Sequence, residues 1–238
     1  MDIGSAFASA FTLVVHFDSN LLEIVALSFQ VSLCAVGVAS LLGLPIGAGL
    51  AVLRFPGRTF IIISLNAMMG MPPVVVGLVV YLFLSRSGPF GTLGLLYSPT
   101  AMIIAQVCLI TPIIAALTRQ SAEELWNEYA EHLKSLGLGP WQSVSTLLWD
   151  ARFSLITIIL AGFGRASAEV GAVMIVGGNI DHVTRVMTAA ITLETSKGDL
   201  ALALGLGMIL LALALSVNGT AFVINEAAKR RYGLASRL

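Results

Sequence analysis

The sequence predicts an all-α integral membrane protein of five transmembrane helices, with its N-terminus outside and its C-terminus in the cytoplasm. Three observations predict this fold. The 238-residue chain is 57% hydrophobic and only 11% charged, whereas soluble domains contain roughly 25% charged residues. Five segments are long and apolar enough to cross a bilayer core of about 30 Å. The basic residues between those segments lie mostly on one side.

The five predicted spans differ in how regular a helix they allow. They cover about residues 21–53, 59–85, 98–117, 153–176 and 200–225. Gly43 and Pro45 predict a bend in the first span, and Pro112 predicts a kink in the third. The second span is interrupted by Gly70, Met71, Pro72 and Pro73, because two consecutive prolines remove two backbone donors.

The distribution of basic residues predicts the orientation. Nine of them fall on one side of five spans, namely Arg54, Arg58, Arg119, Lys134, Arg152, Lys229, Arg230, Arg231 and Arg237. The opposite side has Arg86, Arg185 and Lys197. Cytoplasmic loops carry the excess of Lys and Arg, so the C-terminus is predicted to be cytoplasmic. The first basic residue is Arg54 and Asp2 is acidic, so we expect no signal peptide. Phe7 and Phe11 suggest a short helix at the membrane surface.

Several classes of function are disfavoured by composition. Net charge is zero, so nothing indicates nucleic acid as a partner. Cys34 and Cys108 are read as small hydrophobic residues of membrane helices, and His16, His132 and His182 are too scattered to form a metal site. The sequence has no phosphate-binding loop and no nucleophile with a positioned base. We therefore expect one domain over residues 1–238, without enzymatic activity, metal or cofactor of its own.

The largest predicted cytoplasmic segment, residues 119–150, has the pattern of two short helices. Ser121 and Glu124 fit a capping box at the start of the first helix. An amphipathic stripe follows at Leu125, Tyr129, Leu133 and Leu136. Gly137, Gly139 and Pro140 end that helix, and residues 141–149 can form the second.

Within this segment, Glu131 and the Gly137 six positions later resemble the coupling motif of ATP-binding-cassette (ABC) importer permeases. Residues 164–180 and residues 71–78 look like the corresponding parts of molybdate and tungstate permeases, and the likeness extends from about residue 60 onward. Residues 148–152 and 176–180 are most similar to the tungstate type. The resemblance implies a type I permease-like bundle in the plasma membrane of a prokaryote.

The resemblance also implies partners. These are a cytoplasmic ATPase dimer that binds ATP and Mg, an extracytoplasmic oxyanion-binding protein and a second copy of this chain. The chain itself also contacts membrane lipid. The residues assigned to ATPase coupling are Glu128, Glu131, Gly137, Leu138, Gly139 and Trp141. The alternative is a helical hairpin that only closes a loop.

Five residues are candidates for the pathway or its gate: Pro72, Pro73, Arg165, Glu169 and Gly171. Arg165 and Glu169 are ionisable, lie inside a predicted span and share one helix face at i and i+4. The alternative is an ion pair that locks helix packing. The proline break is expected to face the pathway or a partner, and a simple packing kink is its alternative.

The resulting functional prediction is a permease subunit that imports an oxyanion, with tungstate ahead of molybdate and sulfate. Two other classes stay open. A secondary transporter could use Arg165 and Glu169 as a charge relay, although the sequence shows no inverted repeat. A membrane scaffold would move no substrate at all.

Overall fold

The computed structural model describes Thr12 and residues 19–235, without the side chains of residue 225 and of residues 227–235. The predicted surface helix around Phe7 and Phe11 lies outside the described residues. So do Arg237 and the side chains of Lys229, Arg230 and Arg231, which entered the prediction of orientation.

Every regular element in the described part of the chain is helical, as predicted. The long helices and their continuations are α1 (Ser19–Val52), α2 (Arg58–Met69), α3 (Pro73–Leu84), α4 (Pro99–Ser135) and α5 (Pro140–Asp150). They are followed by α6 (Arg152–Ser167), α7 (Gly171–Gly177), α8 (Met187–Lys197) and α9 (Leu200–Ala235). One 3-10 turn, Gly91–Leu93, lies between α3 and α4.

Three described helices are each long and apolar enough to cross a membrane: α1, α4 and the part of α9 at Leu200–Ile224. The number reaches five if each of two bent pairs, α2 with α3 and α5 with α6, forms one span. An all-helical membrane protein is therefore confirmed, and the count of five spans with its orientation stays a prediction.

The predicted break in the second span is present. Helix α2 ends at Met69 and α3 begins at Pro73. Pro72 is extended, with φ −60° and ψ 128°, and Pro73 takes the first helical position, where no backbone donor is needed. The two prolines thus end one helix and start the next.

The predicted start of a separate helix at Ser121 is wrong. Helix α4 continues without interruption to Ser135 and has 37 residues, so Ser121 and Glu124 lie inside a helix and form no capping box. Residues 118–120 are Thr, Arg and Gln, and none of them breaks a helix. The predicted third span and the first predicted cytoplasmic helix are therefore parts of one continuous helix.

The prediction of one continuous helix over the fourth span is also wrong. Helix α6 ends at Ser167, α7 begins at Gly171, and the three residues between them are not helical. No proline marks this break. The backbone N–H of Ala172 donates to the carboxylate of Glu169 at 3.2 Å, which provides α7 with its own start.

Two compact units divide the chain, and each is assembled from three separate segments. Unit 1 is the described part of Met1–Ala35, Pro72–Val107 and Gly164–Ser216. Unit 2 is the described part of Val36–Met71, Cys108–Phe163 and Val217–Leu238. The expectation of one domain over residues 1–238 stays a prediction.

Unit 2 is held by small and apolar residues where α1, α4 and α5 meet. Its buried cluster consists of Ala48, Ala51, Val52, Ala122, Leu133, Val144 and Leu147. A Cβ on Gly43 would lie 2.9 Å from Cγ2 of Ile114, closer than real Cβ contacts. The glycines of α1 therefore allow close packing on α4.

Unit 1 contains a close contact between two short helices, α3 and α7. A Cβ on Gly77 would lie 2.6 Å from the Cα of Ala172, so only glycine permits this approach. A second buried cluster joins α1, α8 and α9 through Leu21, Ile24, Met187, Ala190 and Leu206. Helix α8 contributes Met187 and Ala190 to this cluster.

Candidate pathway and coupling sites

Glu169 lies in the non-helical segment between α6 and α7 and is buried, with 5% of its surface exposed. One carboxylate oxygen accepts the N–H of Ala172 at 3.2 Å. The other lies 3.3 Å from Nη2 of Arg165, whose side chain is 43% exposed. The structure therefore brings the predicted pair together, with the glutamate enclosed and the arginine open at one end.

The backbone around Glu169 is fixed by two polar side chains that the sequence analysis did not select. Thr188 of α8 donates its hydroxyl to the carbonyl of Glu169 at 2.7 Å. Gln106 of α4 donates its amide N–H to the carbonyl of Ala166 at 3.1 Å. Gln106 is the one amide side chain in the predicted third span. A polar side chain in an apolar span is unusual, so the sequence alone could have indicated Gln106 as a candidate.

Pro72 and Pro73 lie near the break at Glu169, and all three residues belong to unit 1. Helix α3 packs on α7, and a Cβ on Gly171 would lie 2.7 Å from Cγ2 of Val74. Pro73 and Gly171, the first residues of these helices, are therefore close together. All five candidate pathway residues accordingly fall in one region of unit 1.

The coupling candidates surround the turn between α4 and α5. Gly137 has φ +74°, a conformation that side chains disfavour, and this reverses the chain. Gly139 caps α5, and its N–H donates to Oε1 of Gln142 at 2.9 Å. Leu138 is half-buried and packs on the cluster of unit 2. The turn therefore requires glycine at position 137 and is anchored by Leu138.

The remaining coupling candidates are exposed. Glu128 and Glu131 lie on the open face of α4, and Trp141 is 68% exposed at the start of α5. A hydrogen bond to Glu128, together with its negative charge, raises the pKa of Tyr129. Leu136 is 69% exposed. The surface around the turn between α4 and α5 thus exposes both apolar and acidic side chains.

A charge cluster in unit 2 was not predicted as a site. The carboxylate of Glu123 on α4 lies 3.0 Å from Nη2 of Arg58 and also pairs with Arg119. Nε of Arg58 donates to the carbonyl of Leu50 at 2.6 Å. Arg119 and Glu123 are i and i+4 on one helix, a signal that could have been read. Arg58 lies 65 positions from Glu123, so no local spacing in the sequence indicates that the two residues pair.

With this geometry in view, comparison with known proteins identifies the family. Residues 43–230 match the family described as binding-protein-dependent transport system inner membrane component. The chain belongs to this family. It is 38% identical over 224 residues to a tungstate uptake system permease protein, TupB, of Peptoclostridium acidaminophilum, covering 94% of this chain and 98% of that protein.

Two further relatives show how the similarity falls off. The TupB protein of Campylobacter jejuni is 35% identical over 199 residues, with 84% of this chain and 83% of that protein covered. A sulfate transport system permease protein, CysW, of Synechococcus elongatus is 26% identical over 177 residues, with 71% and 62% covered. The predicted resemblance to ABC importer permeases, nearest the tungstate type, is confirmed.

Proposed function

We propose that this chain is the membrane subunit of an ATP-driven importer whose substrate is tungstate. The observation that carries the proposal is its 38% identity to a tungstate permease over 94% of the chain and 98% of that relative. The sulfate permease of S. elongatus is less similar, at 26%. Molybdate and sulfate, tetrahedral dianions like tungstate, are the alternative substrates.

The proposed complex contains three kinds of partner. A cytoplasmic ATPase dimer binds ATP and Mg, because the sequence of this chain has no phosphate-binding loop. An extracytoplasmic binding protein delivers the oxyanion, in keeping with the family to which the chain belongs. The chain itself transports and carries out no chemical reaction. ATP-driven movement of the ATPases reaches this chain through Glu128, Glu131, Trp141 and the turn at Gly137.

Helix α2 supports the proposal that a second copy completes the pathway. No residue of α2 is buried in the chain, although its sequence is apolar. Asn66 lies exposed in this helix, and an amide in lipid requires a hydrogen-bonding partner. We infer that α2 faces the second copy or the water-filled pathway between the copies.

Arg165 and Glu169 are proposed as a latch on the pathway. The glutamate neutralises the guanidinium, so the arginine is a poor permanent binding site for a dianion. Because Glu169 also starts α7, a movement of α7 changes the ion pair and the shape of the break together. ATP binding would open the pathway outward by this movement, and hydrolysis would reset it.

The test is uptake into liposomes that contain this chain, its ATPase and its binding protein, supplied with labelled tungstate, molybdate or sulfate. We expect accumulation of tungstate that requires both ATP and the binding protein. ATP-dependent accumulation of molybdate or sulfate instead would change the assigned substrate and leave the proposed ATP-driven import unchanged. Accumulation without ATP would replace the proposal with a secondary transporter, and no flux through an intact complex would favour a scaffold.

A further inference from the structure

A small cavity with a polar wall lies inside unit 1, next to the break between α6 and α7. Its volume is about 10 Å³, and residues of α1, α4, α6, α8 and the break line it. The polar side chains on its wall are Ser28, Ser32, Gln106, Ser167, Glu169 and Thr188. All of these residues except Ser167 are buried, and the hydroxyl oxygen of Ser167 is itself buried. An apolar helix bundle therefore contains a polar space.

Gln106 lines this cavity with one side of its amide unbonded. Nε2 donates to the carbonyl of Ala166 at 3.1 Å. Because a carbonyl can only accept, the amide nitrogen and not Oε1 must lie on that side. Gln106 is 3% exposed, and among the described residues no donor bonds its Oε1. A buried acceptor without a donor is costly, so this oxygen requires a donor inside the cavity.

The hydroxyl of Ser167 is the second group that requires a partner. Ser167 is the last residue of α6, and its Oγ is buried without a hydrogen bond to any described residue. The side chains of Ser167 and Gln106 line the same cavity but do not bond each other. A small molecule that both donates and accepts would satisfy the two side chains if it lay between them.

The size and charge of the cavity identify this molecule. A volume of about 10 Å³ has room for one water molecule, which needs about 10–15 Å³, whereas a tetrahedral oxyanion is larger. The charge of the wall disfavours a small cation. Among the described residues of the wall the one carboxylate is that of Glu169, which already pairs with Arg165 and accepts the N–H of Ala172.

We propose that one water molecule binds in this cavity and bridges Gln106 to Ser167. The water donates one hydrogen to Oε1 of Gln106 and accepts the hydroxyl hydrogen of Ser167, and its second hydrogen is available to another oxygen on the wall. Gln106 then holds the end of α6 twice, directly at the carbonyl of Ala166 and through water at Ser167. A bound water thus joins α4 to the edge of the break, in addition to the direct hydrogen bond.

The experiment uses a methionine on the cavity wall as the reporter. Met187 is 2% exposed and lines the cavity, whereas Met102 of the same unit is 0% exposed and does not line it. A millisecond X-ray pulse converts water beside a side chain into hydroxyl radicals, which oxidise methionine to its sulfoxide. We expect about fivefold more sulfoxide at Met187 than at Met102, because oxidation follows the access of the oxidant to sulfur. Mass spectrometry of the permease–ATPase complex in lipid nanodiscs measures both.

A pair of substitutions tests whether Ser167 holds the water. Ser167→Val removes the hydroxyl and places methyl groups in the cavity, so oxidation of Met187 should fall to the level of Met102. Thr192→Val is the matched control on α8, the helix of Met187. The hydroxyl of Thr192 donates within that helix to the carbonyl of Thr188 at 3.0 Å, and Thr192 does not line the cavity. Oxidation of Met187 should be unchanged in this control.

Two results would overturn the proposal. Equal oxidation of Met187 and Met102 in the unsubstituted chain would show that the cavity is dry, and this comparison does not depend on the folding of any variant. Oxidation of Met187 that persists in Ser167→Val would show that the water does not bind at Ser167. Neither measurement depends on transport, so failure here is distinct from failure of oxyanion uptake.

Discussion

At the residue scale, Glu169 performs two tasks with one carboxylate. One oxygen neutralises Arg165 and the other accepts the N–H that begins α7. A glutamine can perform only the second task, because its amide oxygen accepts a hydrogen bond but carries no charge. The two tasks can therefore be separated by substitution.

We predict that Glu169→Gln greatly reduces ATP-driven uptake while lowering thermal stability only slightly. Glu169→Ala should lower stability further, by about 1 kcal/mol, because the cap of α7 is also lost. Uptake in liposomes and melting of the purified complex in detergent measure the two effects. Equal stability of the glutamine and alanine variants would show that the carboxylate does not cap α7.

Gly137 and Gly139 allow a matched comparison in the coupling turn. Neither glycine has a close neighbour other than a glutamine side chain, but only Gly137 has a positive φ, at +74°. Gly137→Ala should cost about 1 kcal/mol of backbone strain and should uncouple ATP hydrolysis from uptake. Gly139→Ala, at φ −69°, should leave the ratio of hydrolysis to uptake unchanged. Uncoupling by both variants would mean that the turn's shape is not what transmits the movement.

At the element scale, the packing of α3 on α7 depends on Gly77. Gly77→Ala places a Cβ against the backbone of Ala172, so we predict a loss of about 1–3 kcal/mol of stability. Gly164→Ala is the control, since Gly164 lies in α6 with no atom within 4 Å of an added Cβ. Comparable melting temperatures for the two alanine variants would show that α7 can move away from α3 without cost.

The loop before α8 is joined to α1 by a bridge that depends on pH. Nδ1 of His182 lies 2.8 Å from the carboxylate of Glu23, and that hydrogen bond and charge raise the pKa of His182 above 6.5. The protonated bridge therefore stabilises the loop fully below 6.5 and is lost as pH rises through the higher, folded value. The protection of the amides of residues 180–185, measured as hydrogen exchange relative to the intrinsic rate at each pH, should fall over that interval. This fall in protection should be absent in Glu23→Gln, and its persistence there would exclude the bridge.

The sequence predicted the helix break at Pro72 and Pro73 but not the break between α6 and α7. Pro72 and Pro73 end α2 by their own covalent structure, so the pattern sufficed. The break between α6 and α7 depends on a carboxylate capping a helix and on Gly171 packing against Val74, which are tertiary contacts. Ser121 and Glu124 gave a false helix start for a different reason, because a capping-box pattern does not interrupt a helix whose preceding residues can also be helical.

Among the candidate site residues, Arg165 and Glu169 could be found because charges are conspicuous in an apolar span. Gln106 was equally unusual there, but its role depends on Ala166, 60 residues away. Arg58 and Glu123 are separated by 65 residues, and only the fold pairs them. Local spacing can therefore indicate pairs within one turn of helix, such as Arg165 with Glu169, but not pairs that only the fold brings together.

At the scale of the whole molecule, the orientation can be tested with cysteines. We predict that Ser87→Cys reacts with a membrane-impermeant thiol reagent in intact cells, whereas Ser145→Cys reacts only after lysis. Both cysteine substitutions are made in a variant that also carries Cys34→Ala and Cys108→Ala. The two native cysteines are exposed and would otherwise react with the reagent too. The reverse pattern would place the coupling turn outside and contradict the proposed contact with the ATPase.

The division of each compact unit among three chain segments affects how the protein is made. Unit 1 needs Gly164–Ser216 before it is complete, and unit 2 needs the segment that begins at Val217. Ribosomes add about 5–20 residues per second, so the 60 residues between Gln106 and Ala166 take about 3–12 seconds to synthesise. During that interval the amide of Gln106 has no Ala166 carbonyl to bind, and the insertion machinery or water must satisfy it until the later helices arrive.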